Sequence, residues 1–300
     1  MTSIKNYLKL LNHPSKILPI LNYTLLILYG TILFQLPVSL TALFLVIFAI
    51  NFAWIFSVGI NDYYDIEIDK VINPNRPLVS GDLTKKDVKG FYLFFVIMAM
   101  IFSFICSLLS TFWIIILVGI YLLLGILYST PPMRIKMRTS LSTIVIGLSC
   151  FITILSGGAL ILLTENFTLI PIDNTELIFA SSTIGIIAFI VSLAKDLKDI
   201  PGDKAAGIPT LPIKYGPKKT AKILLIFGLI SFSVFLIYPI FDNIYFLSYP
   251  FIMFGMASWI IVFIYYIMEP GKERAETLYK FGFMGFLIII LSFIILKIFF

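Results

Sequence analysis

The amino-acid sequence predicts an all-α, polytopic membrane protein. Of its 300 residues, 60% are hydrophobic and 13% are charged, whereas soluble proteins contain roughly 45–50% apolar and about 25% charged residues. The apolar residues form long, unbroken runs of Ile, Leu and Phe. Such runs are typical of transmembrane helices, because the strands of a lipid-facing barrel alternate polar and apolar residues.

Nine apolar segments approach the length of about 20 residues that a helix needs to cross a bilayer. They are residues 17–35, 38–60, 91–110, 112–129, 141–163, 177–194, 221–241, 245–268 and 278–299. The polar stretches between them reach about thirty residues at most, too few for a separate soluble domain. We therefore expect residues 1–300 to form a single integral-membrane domain.

The charged residues predict how these segments are oriented. With nine crossings, 21 of the 22 Lys and Arg residues lie on one side, and the exception is Lys297. The connections on the other side carry the acidic residues Glu165, Asp173, Glu176 and Asp242. Because cytoplasmic loops are enriched in Lys and Arg, we expect a cell-membrane protein with its amino terminus in the cytoplasm and its carboxyl terminus outside. The dispersal of Lys and Arg through short loops argues against a nucleic-acid partner.

Two acidic clusters come after the second and sixth segments with the same spacing, 134 residues apart. The first acid cluster is Asp62, Asp65 and Asp69, and the second acid cluster is Asp196, Asp199 and Asp203. Positions i, i+3 and i+7 of an α-helix lie within about 60° of one another, so each cluster is expected to face one point, with Asn61 beside the first. Pro201 removes one helical hydrogen bond, which leaves open whether Asp203 lies on a straight helix or on a bent turn.

Six carboxylates that face one another would repel strongly in a partly desolvated site. Mg²⁺ relieves this repulsion, because it prefers hard oxygen ligands and is commonly held by carboxylates together with the phosphates of a substrate. The pattern therefore predicts all six aspartates as ligands of Mg²⁺, which would bridge them to a diphosphate. The alternative is that they are solvated charges beside spanning helices, which two clusters of matching spacing on one side of the membrane make less favourable.

Basic residues near the clusters are candidates for binding the diphosphate. Arg76 lies in a turn that two prolines and a glycine define, Arg134 and Lys136 come after a Pro-Pro pair, and Lys195 and Lys198 lie beside the second acid cluster. Each of them could instead be no more than a loop cation on the cytoplasmic side.

Other common chemistries have little support. His13 is the only histidine, and Cys106 and Cys150 lie inside apolar runs, where cysteine usually serves as a small hydrophobe. The sequence contains neither a Gly-x-Ser-x-Gly elbow nor a Walker-type phosphate loop. Triad hydrolysis and nucleotide-driven transport therefore lack their usual signatures.

Four ordered motifs resemble those of the UbiA superfamily of intramembrane prenyltransferases, over nearly the whole chain. Residues 61–69 resemble the family's first aspartate-rich motif, and NPNRPLVSG at 73–81 is similar to the segment next to it in the family. YSTPPMRIK at 128–136 resembles a Tyr-x-x-Pro-Pro-x-Arg-x-Lys stretch. Residues 195–203, continued by GIPTLPIKYG at 207–216, resemble the second motif.

The resemblance implies a bundle of nine helices around a lipid-facing cavity, with both acid clusters at its cytoplasmic end. The implied enzyme uses Mg²⁺ to move a prenyl group from an isoprenyl diphosphate, such as geranylgeranyl diphosphate, to a hydrophobic acceptor. Geranylgeranylglyceryl phosphate, used by archaeal lipid-forming members, and aromatic quinone precursors are the candidate acceptors. The residues implied in catalysis are Asp65, Asp69, Asp199, Asp203 and Tyr128. Those implied in substrate binding are Asn61, Arg76, Arg134, Lys136, Lys195 and Lys198, while Asp62 and Asp196 complete the metal ligands.

The residues themselves favour the same chemistry. Breaking an allylic C–O bond leaves negative charge on the diphosphate, which bound cations stabilise, so no protein nucleophile is required. A cation-coupled transporter with an ion path through the acid clusters is the alternative, because intramembrane carboxylates commonly mark such paths. Transport sites usually lie near the bilayer midplane, whereas these clusters lie at helix ends, which favours the enzyme. A purely structural protein would leave both clusters unexplained.

Overall fold

The predicted all-α class is confirmed. The computed structural model describes residues 4–11, 14–33, 38–72, 74–138, 141–160, 175–205, 207–240 and 243–299, and these residues contain helices and turns but no strand. His13, Asn73, Glu165, Asp173 and Asp242, which entered the sequence analysis, lie outside the described residues.

Twelve α-helices are described in this part of the chain. They are α1 (Ile4–Leu11), α2 (Pro14–Ile32), α3 (Leu40–Tyr64), α4 (Ile66–Ile72), α5 (Lys85–Leu109), α6 (Trp113–Ser129), α7 (Leu141–Ala159), α8 (Thr175–Ala205), α9 (Leu211–Tyr215), α10 (Pro217–Val234), α11 (Tyr249–Met268) and α12 (Lys272–Phe299). Short 3-10 helices occupy Ile135–Met137, Phe235–Ile240 and Asn243–Ser248.

Within the described ranges, seven helices are long and apolar enough to cross a membrane: α3, α5, α7, α8, α10, α11 and α12, two of them extended by adjacent 3-10 turns. Two further apolar helices, Leu18–Ile32 and Trp113–Ser129, are shorter. Each of the nine predicted segments coincides with one of these helices, and the count of nine crossings stays a prediction.

The outer surface of α5 shows what surrounds the bundle. Phe94, Ile97, Ile101, Phe104 and Leu108 are all exposed, and their spacing places them along one side of the helix. A continuous apolar stripe of this size is unfavourable in water, but it is the normal surface of a helix in lipid. This surface fits a multi-pass membrane protein.

Close helix contacts in the bundle depend on glycine. A Cβ atom on Gly30 of α2 would lie 2.2 Å from the carbonyl oxygen of Ile154, and one on Gly157 of α7 would lie 2.1 Å from that of Ile27. The two backbones therefore approach each other more closely than any larger residue permits, as is common between helices in membranes.

The helices that carry the two acid clusters end in different ways. The first acid cluster was expected to face one point from a continuous helix, but the helix is interrupted. Helix α3 ends at Tyr64, Asp65 caps it with a backbone φ of −99°, and Asp69 lies in the separate helix α4. By contrast, α8 continues through Pro201 to Ala205, so the second acid cluster lies on one helix.

Candidate active site

The first acid cluster is buried at the junction of α3 and α4. The exposed fractions of Asp62, Asp65 and Asp69 are 3%, 9% and 4%. Carboxylates with so little contact with water are unfavourable unless they are paired and hydrogen-bonded. The cluster therefore depends on cations supplied by other parts of the chain.

Arg76 supplies one of these cations. Its Nη1 atom lies 2.6 Å from Oδ1 of Asp62 and 2.7 Å from Oδ2 of Asp69. The loop turns back at this point, because the amides of Val79 and Ser80 both donate to the Arg76 carbonyl at 2.8 Å. One guanidinium thus bridges the two ends of the first acid cluster, and a role of Arg76 in substrate binding stays a prediction.

Asp65 is held from a different loop. Arg134 donates to its Oδ1 at 2.9 Å, and Lys136 donates to its Oδ2 at 2.5 Å. Lys136 also donates to Oδ1 of Asn61 at 2.6 Å, and Ser129 donates to the same oxygen at 3.3 Å. Burial lowers the pKa of the Lys136 ammonium from its ordinary value, and the adjacent Asp65 carboxylate opposes that change.

The loop that carries these two cations has an unusual backbone. Helix α6 ends at Ser129, before Pro131 and Pro132, and Arg134 then adopts a left-handed conformation with φ of 38°. Few residues other than glycine adopt this region without strain. The conformation lets Arg134 reach both Asp65 and the carbonyl of Tyr64, at 3.0 Å.

The second acid cluster is more open. The side chain of Asp199 is 36% exposed, and its two cation contacts are long: 3.6 Å to Lys195 and 3.9 Å to Lys198. Lys198 also lies 5.2 Å from the centre of the Tyr279 ring, in a cation–π contact. Asp199 is thus only loosely neutralised by its own helix.

Tyr128 at the end of α6 connects the two clusters. It interacts electrostatically with Asp65 of the first acid cluster and with Asp196 and Asp199 of the second, as well as with Lys195. The fold therefore brings members of both clusters near a common phenol, as expected if both face one site.

A cavity of about 330 Å³ opens beside this group. At one end it is lined by Asn61, Asp62, Tyr128 and Lys195, which we call the diphosphate end. The remaining lining comes mainly from apolar and aromatic side chains of α2, α3, α6, α7, α8 and α12.

Sequence reasoning did not identify the residues that line the rest of this cavity. They include Asn22, Tyr23, Trp54, Tyr121, Tyr279 and Phe283. Aromatic residues are frequent in every apolar segment, so nothing distinguishes those that face inward. Asn22 is different: an amide inside a spanning segment is itself a signal, because polar groups in lipid are costly and usually functional.

The side chains of the site supply oxygen ligands for only part of a Mg²⁺ coordination shell. In the described ranges, no three His, Cys, Asp or Glu side chains converge as a ready metal site, and Arg76 already bridges two of the carboxylates. Mg²⁺ is usually held by one or two carboxylates, with phosphate oxygens and water completing its shell. Near Tyr128, Asp65 is already paired with Arg134 and Lys136, whereas Asp199 is partly exposed. A cage of six carboxylates is not formed there. The metal-binding role of each aspartate stays a prediction.

These features describe a membrane-embedded bundle in which charged and polar side chains lie at one end of a largely apolar cavity. Residues 23–290 match the model of the UbiA prenyltransferase family. The chain belongs to this family, and it is an intramembrane prenyltransferase.

Curated relatives include two classes of transferase. The chain is 31% identical to the digeranylgeranylglyceryl phosphate synthase of Methanosphaera stadtmanae over 242 residues, which cover 78% of this chain and 80% of the relative. It is 30% identical to the chloroplastic naringenin 8-dimethylallyltransferase 2 of Sophora flavescens over 176 residues, 58% of this chain and 42% of that protein.

Solved structures share the whole fold. A structure of a digeranylgeranylglyceryl phosphate synthase in membranes superposes with a TM-score of 0.73 at 25% identity, covering 99% of both chains. A UbiA homologue from Archaeoglobus fulgidus, bound to DMAPP and Mg²⁺, superposes with a TM-score of 0.72 at 19% identity, covering 98% of both chains. Together with the family match, these similarities favour the enzyme over the transporter alternative.

Proposed function

We propose that the protein is a Mg²⁺-dependent prenyltransferase that takes an isoprenyl diphosphate, such as geranylgeranyl diphosphate, and prenylates a hydrophobic acceptor. The observation that carries this proposal is that Tyr128 lies near members of both acid clusters and lines one end of the cavity together with Lys195. The A. fulgidus homologue that holds DMAPP and Mg²⁺ supports the donor and the metal.

In the proposed reaction, the allylic C–O bond breaks and the diphosphate keeps the electron pair. Carboxylates of the two clusters would hold Mg²⁺, which would supply positive charge to the diphosphate. Arg134, Lys136 and Lys195 lie at the same end and stabilise the departing anion through charge-assisted hydrogen bonds. The acceptor then forms a bond to the allylic carbon and loses a proton, which the released diphosphate accepts.

The cavity gives the allylic cation a dry environment. Tyr23, Trp54, Tyr121 and Phe283 line it, and aromatic faces attract cations, most strongly where water is excluded. The apolar lining delays attack by water until the acceptor reacts. Shielding a reactive cation from hydrolysis is a physical reason to place this reaction inside a membrane.

The relatives suggest two acceptor classes. Digeranylgeranylglyceryl phosphate synthases suggest geranylgeranylglyceryl phosphate. Naringenin 8-dimethylallyltransferase 2 and a probable homogentisate phytyltransferase suggest a hydroxylated aromatic ring. For either class, the positive-inside rule places the diphosphate end of the cavity at the cytoplasmic side, with the amino terminus inside and the carboxyl terminus outside.

The test is prenyl transfer by the purified protein, supplied with geranylgeranyl diphosphate, Mg²⁺ and a panel that contains both acceptor classes. Product mass identifies the acceptor. Asp65→Asn and Asp199→Asn are expected to lose turnover, because each removes a carboxylate near Tyr128. Asp82→Asn is the matched control, since Asp82 is an exposed residue of the same loop region that pairs with Lys9. Full turnover by either site variant, or chelator-resistant activity, would contradict the proposal.

A further inference from the structure

Four exposed lysines lie where α9 leads into α10. They are Lys214, Lys218, Lys219 and Lys222, and we call them the α10 lysine surface. The sequence from residue 204 to residue 241 contains no Asp or Glu, so this segment supplies no counter-charge of its own. Clustered cations of this kind repel one another and create a positive potential that attracts anions.

The packing of α10 determines what these lysines face. Leu224 is 1% exposed and lies on the side of the helix that packs into the bundle, whereas Ile226 and Ile230 are both 58% exposed. Because successive residues of an α-helix advance by about 100°, Lys219 and Lys222 lie within about 40° of Ile226 and roughly opposite Leu224. The lysines therefore continue the exposed apolar stripe of α10 and do not point into the bundle.

This stripe places the lysines at the level of lipid headgroups. Residues 217–238 are long and apolar enough to cross a membrane, so the exposed side of α10 is a surface for lipid chains. Lys222 comes four residues before Ile226, about 6 Å along the helix axis. The ammonium groups thus lie just beyond the chain-contacting surface, where the headgroups of the same lipids begin.

Exposed apolar side chains are interspersed with the lysines. Tyr215 is 44% exposed and Ile213 is 37% exposed, and tyrosine is enriched at the membrane–water interface, where its ring lies among the headgroups. The ammonium groups of Lys214 and Lys219 lie 5.2 and 5.7 Å from the centre of the Tyr215 ring, in cation–π contacts. One ring therefore gathers two cations at the interface, a combination that suits an amphiphile better than a small soluble anion.

We propose that the α10 lysine surface binds the headgroups of anionic phospholipids, whose acyl chains lie along Ile226 and Ile230. Juxtamembrane clusters of four or more basic residues attract anionic lipids, and each lysine near the membrane surface contributes about fivefold in affinity. The site is formed by α9 and α10 and requires neither the diphosphate nor the acceptor, so its lipid binding is independent of prenyl transfer.

The start of α5 provides a matched control. Lys85, Lys86 and Lys89 are also exposed at the beginning of a helix long enough to span the membrane. Two aspartates, Asp82 and Asp87, lie in the same short segment. The local positive potential is therefore weaker there, although the number of lysines is similar.

The test measures lipid binding to the full-length protein in detergent by native mass spectrometry, with phosphatidylglycerol as the anionic probe and phosphatidylcholine as the zwitterionic one. The wild-type protein is expected to bind phosphatidylglycerol more tightly. Replacing Lys218, Lys219 and Lys222 together by Gln should raise the dissociation constant of phosphatidylglycerol at least tenfold and leave that of phosphatidylcholine unchanged. The triple Gln variant at Lys85, Lys86 and Lys89 should change the first constant by less than about threefold.

Two further measurements keep the proposal testable if the α10 triple Gln variant does not fold. Replacing the same three lysines by Arg keeps the charge and should keep the preference. Raising NaCl from about 0.05 M to about 0.5 M should weaken phosphatidylglycerol binding to the wild-type protein at least tenfold, because salt screens exposed charges. Equal weakening by the α5 and α10 Gln variants, loss of the preference in the Arg variant, salt-independent binding, or displacement of the lipid by an equal concentration of inorganic phosphate would each overturn the proposal.

Discussion

The two acid clusters have the same sequence spacing but different physical environments. In the first, Asp62 and Asp69 share Arg76 at 2.6 and 2.7 Å, with carboxylate side chains only 3% and 6% exposed. In the second, Asp199 is 36% exposed and its nearest cation contact is 3.6 Å. Equal spacing therefore does not produce equal sites.

The difference arises from the chain segment immediately after each cluster. After the first, the helix breaks at Asp65 and a turn returns Arg76 to Asp62 and Asp69. After the second, α8 continues to Ala205, so its lysines can reach Asp199 only along the helix surface. The carboxylates of the first acid cluster are therefore paired within the fold, whereas Asp199 of the second stays partly exposed.

Arg76→Met should produce the largest loss of stability, because it leaves two buried carboxylates without their shared cation. Breaking a buried ion pair usually costs about 3–5 kcal/mol, and we expect roughly 3 kcal/mol since Arg76 is 27% exposed. The measurement is denaturant unfolding in detergent. Lys198→Met, which removes a cation of the second acid cluster, should change the free energy of unfolding by no more than about 0.5 kcal/mol. Equal losses of unfolding free energy in Arg76→Met and Lys198→Met would show that the fold depends equally on the cations of both clusters.

Asp199→Asn should separate activity from stability. Turnover is expected to fall by about 10²–10³-fold, as is common when a group that stabilises transition-state charge is removed, while the unfolding transition stays at its wild-type position because Asp199 is partly exposed. Asp65→Asn should reduce both quantities, since it weakens the contacts with Arg134 and Lys136. A large destabilisation by Asp199→Asn would mean that the second acid cluster is also structural.

Tyr128→Phe tests whether the phenol acts between the clusters. The variant removes one hydroxyl and keeps the ring, so we expect turnover to fall by about five- to tenfold, the equivalent of one hydrogen bond. Tyr121→Phe, at another ring that lines the cavity but away from the diphosphate end, is the comparison. If both variants lose activity equally, the effect belongs to the cavity in general and not to the junction of the clusters.

The sequence predicted the helices and the composition of the site better than the contacts within it. An apolar run of about twenty residues has few alternatives to a helix in lipid, because every backbone amide must be satisfied locally. The candidate site residues were predicted from charge, from spacing and from the resemblance to the UbiA superfamily. The break at Asp65, the choice of Arg76 for Asp62 and Asp69, and the inward position of Asn22 depend on contacts between distant segments. A pattern that assumes a continuous helix does not contain that information.

The contact of α1 with the loop of the first acid cluster should have the smallest effect. Lys9 and Asp82 lie 2.7 Å apart, but their side chains are 50% and 37% exposed, and exposed ion pairs contribute little because water and salt screen them. Lys9→Ala is therefore expected to shift the unfolding temperature by less than about 2 °C and to leave turnover unchanged. Leu10→Ala provides the contrast: Leu10 is 1% exposed and packs with Leu83 and Val88. If Lys9→Ala lowered the unfolding temperature as much as Leu10→Ala, the position of Arg76 would depend on a surface charge. The buried ion pairs of the first acid cluster would then not be enough to hold its loop in place.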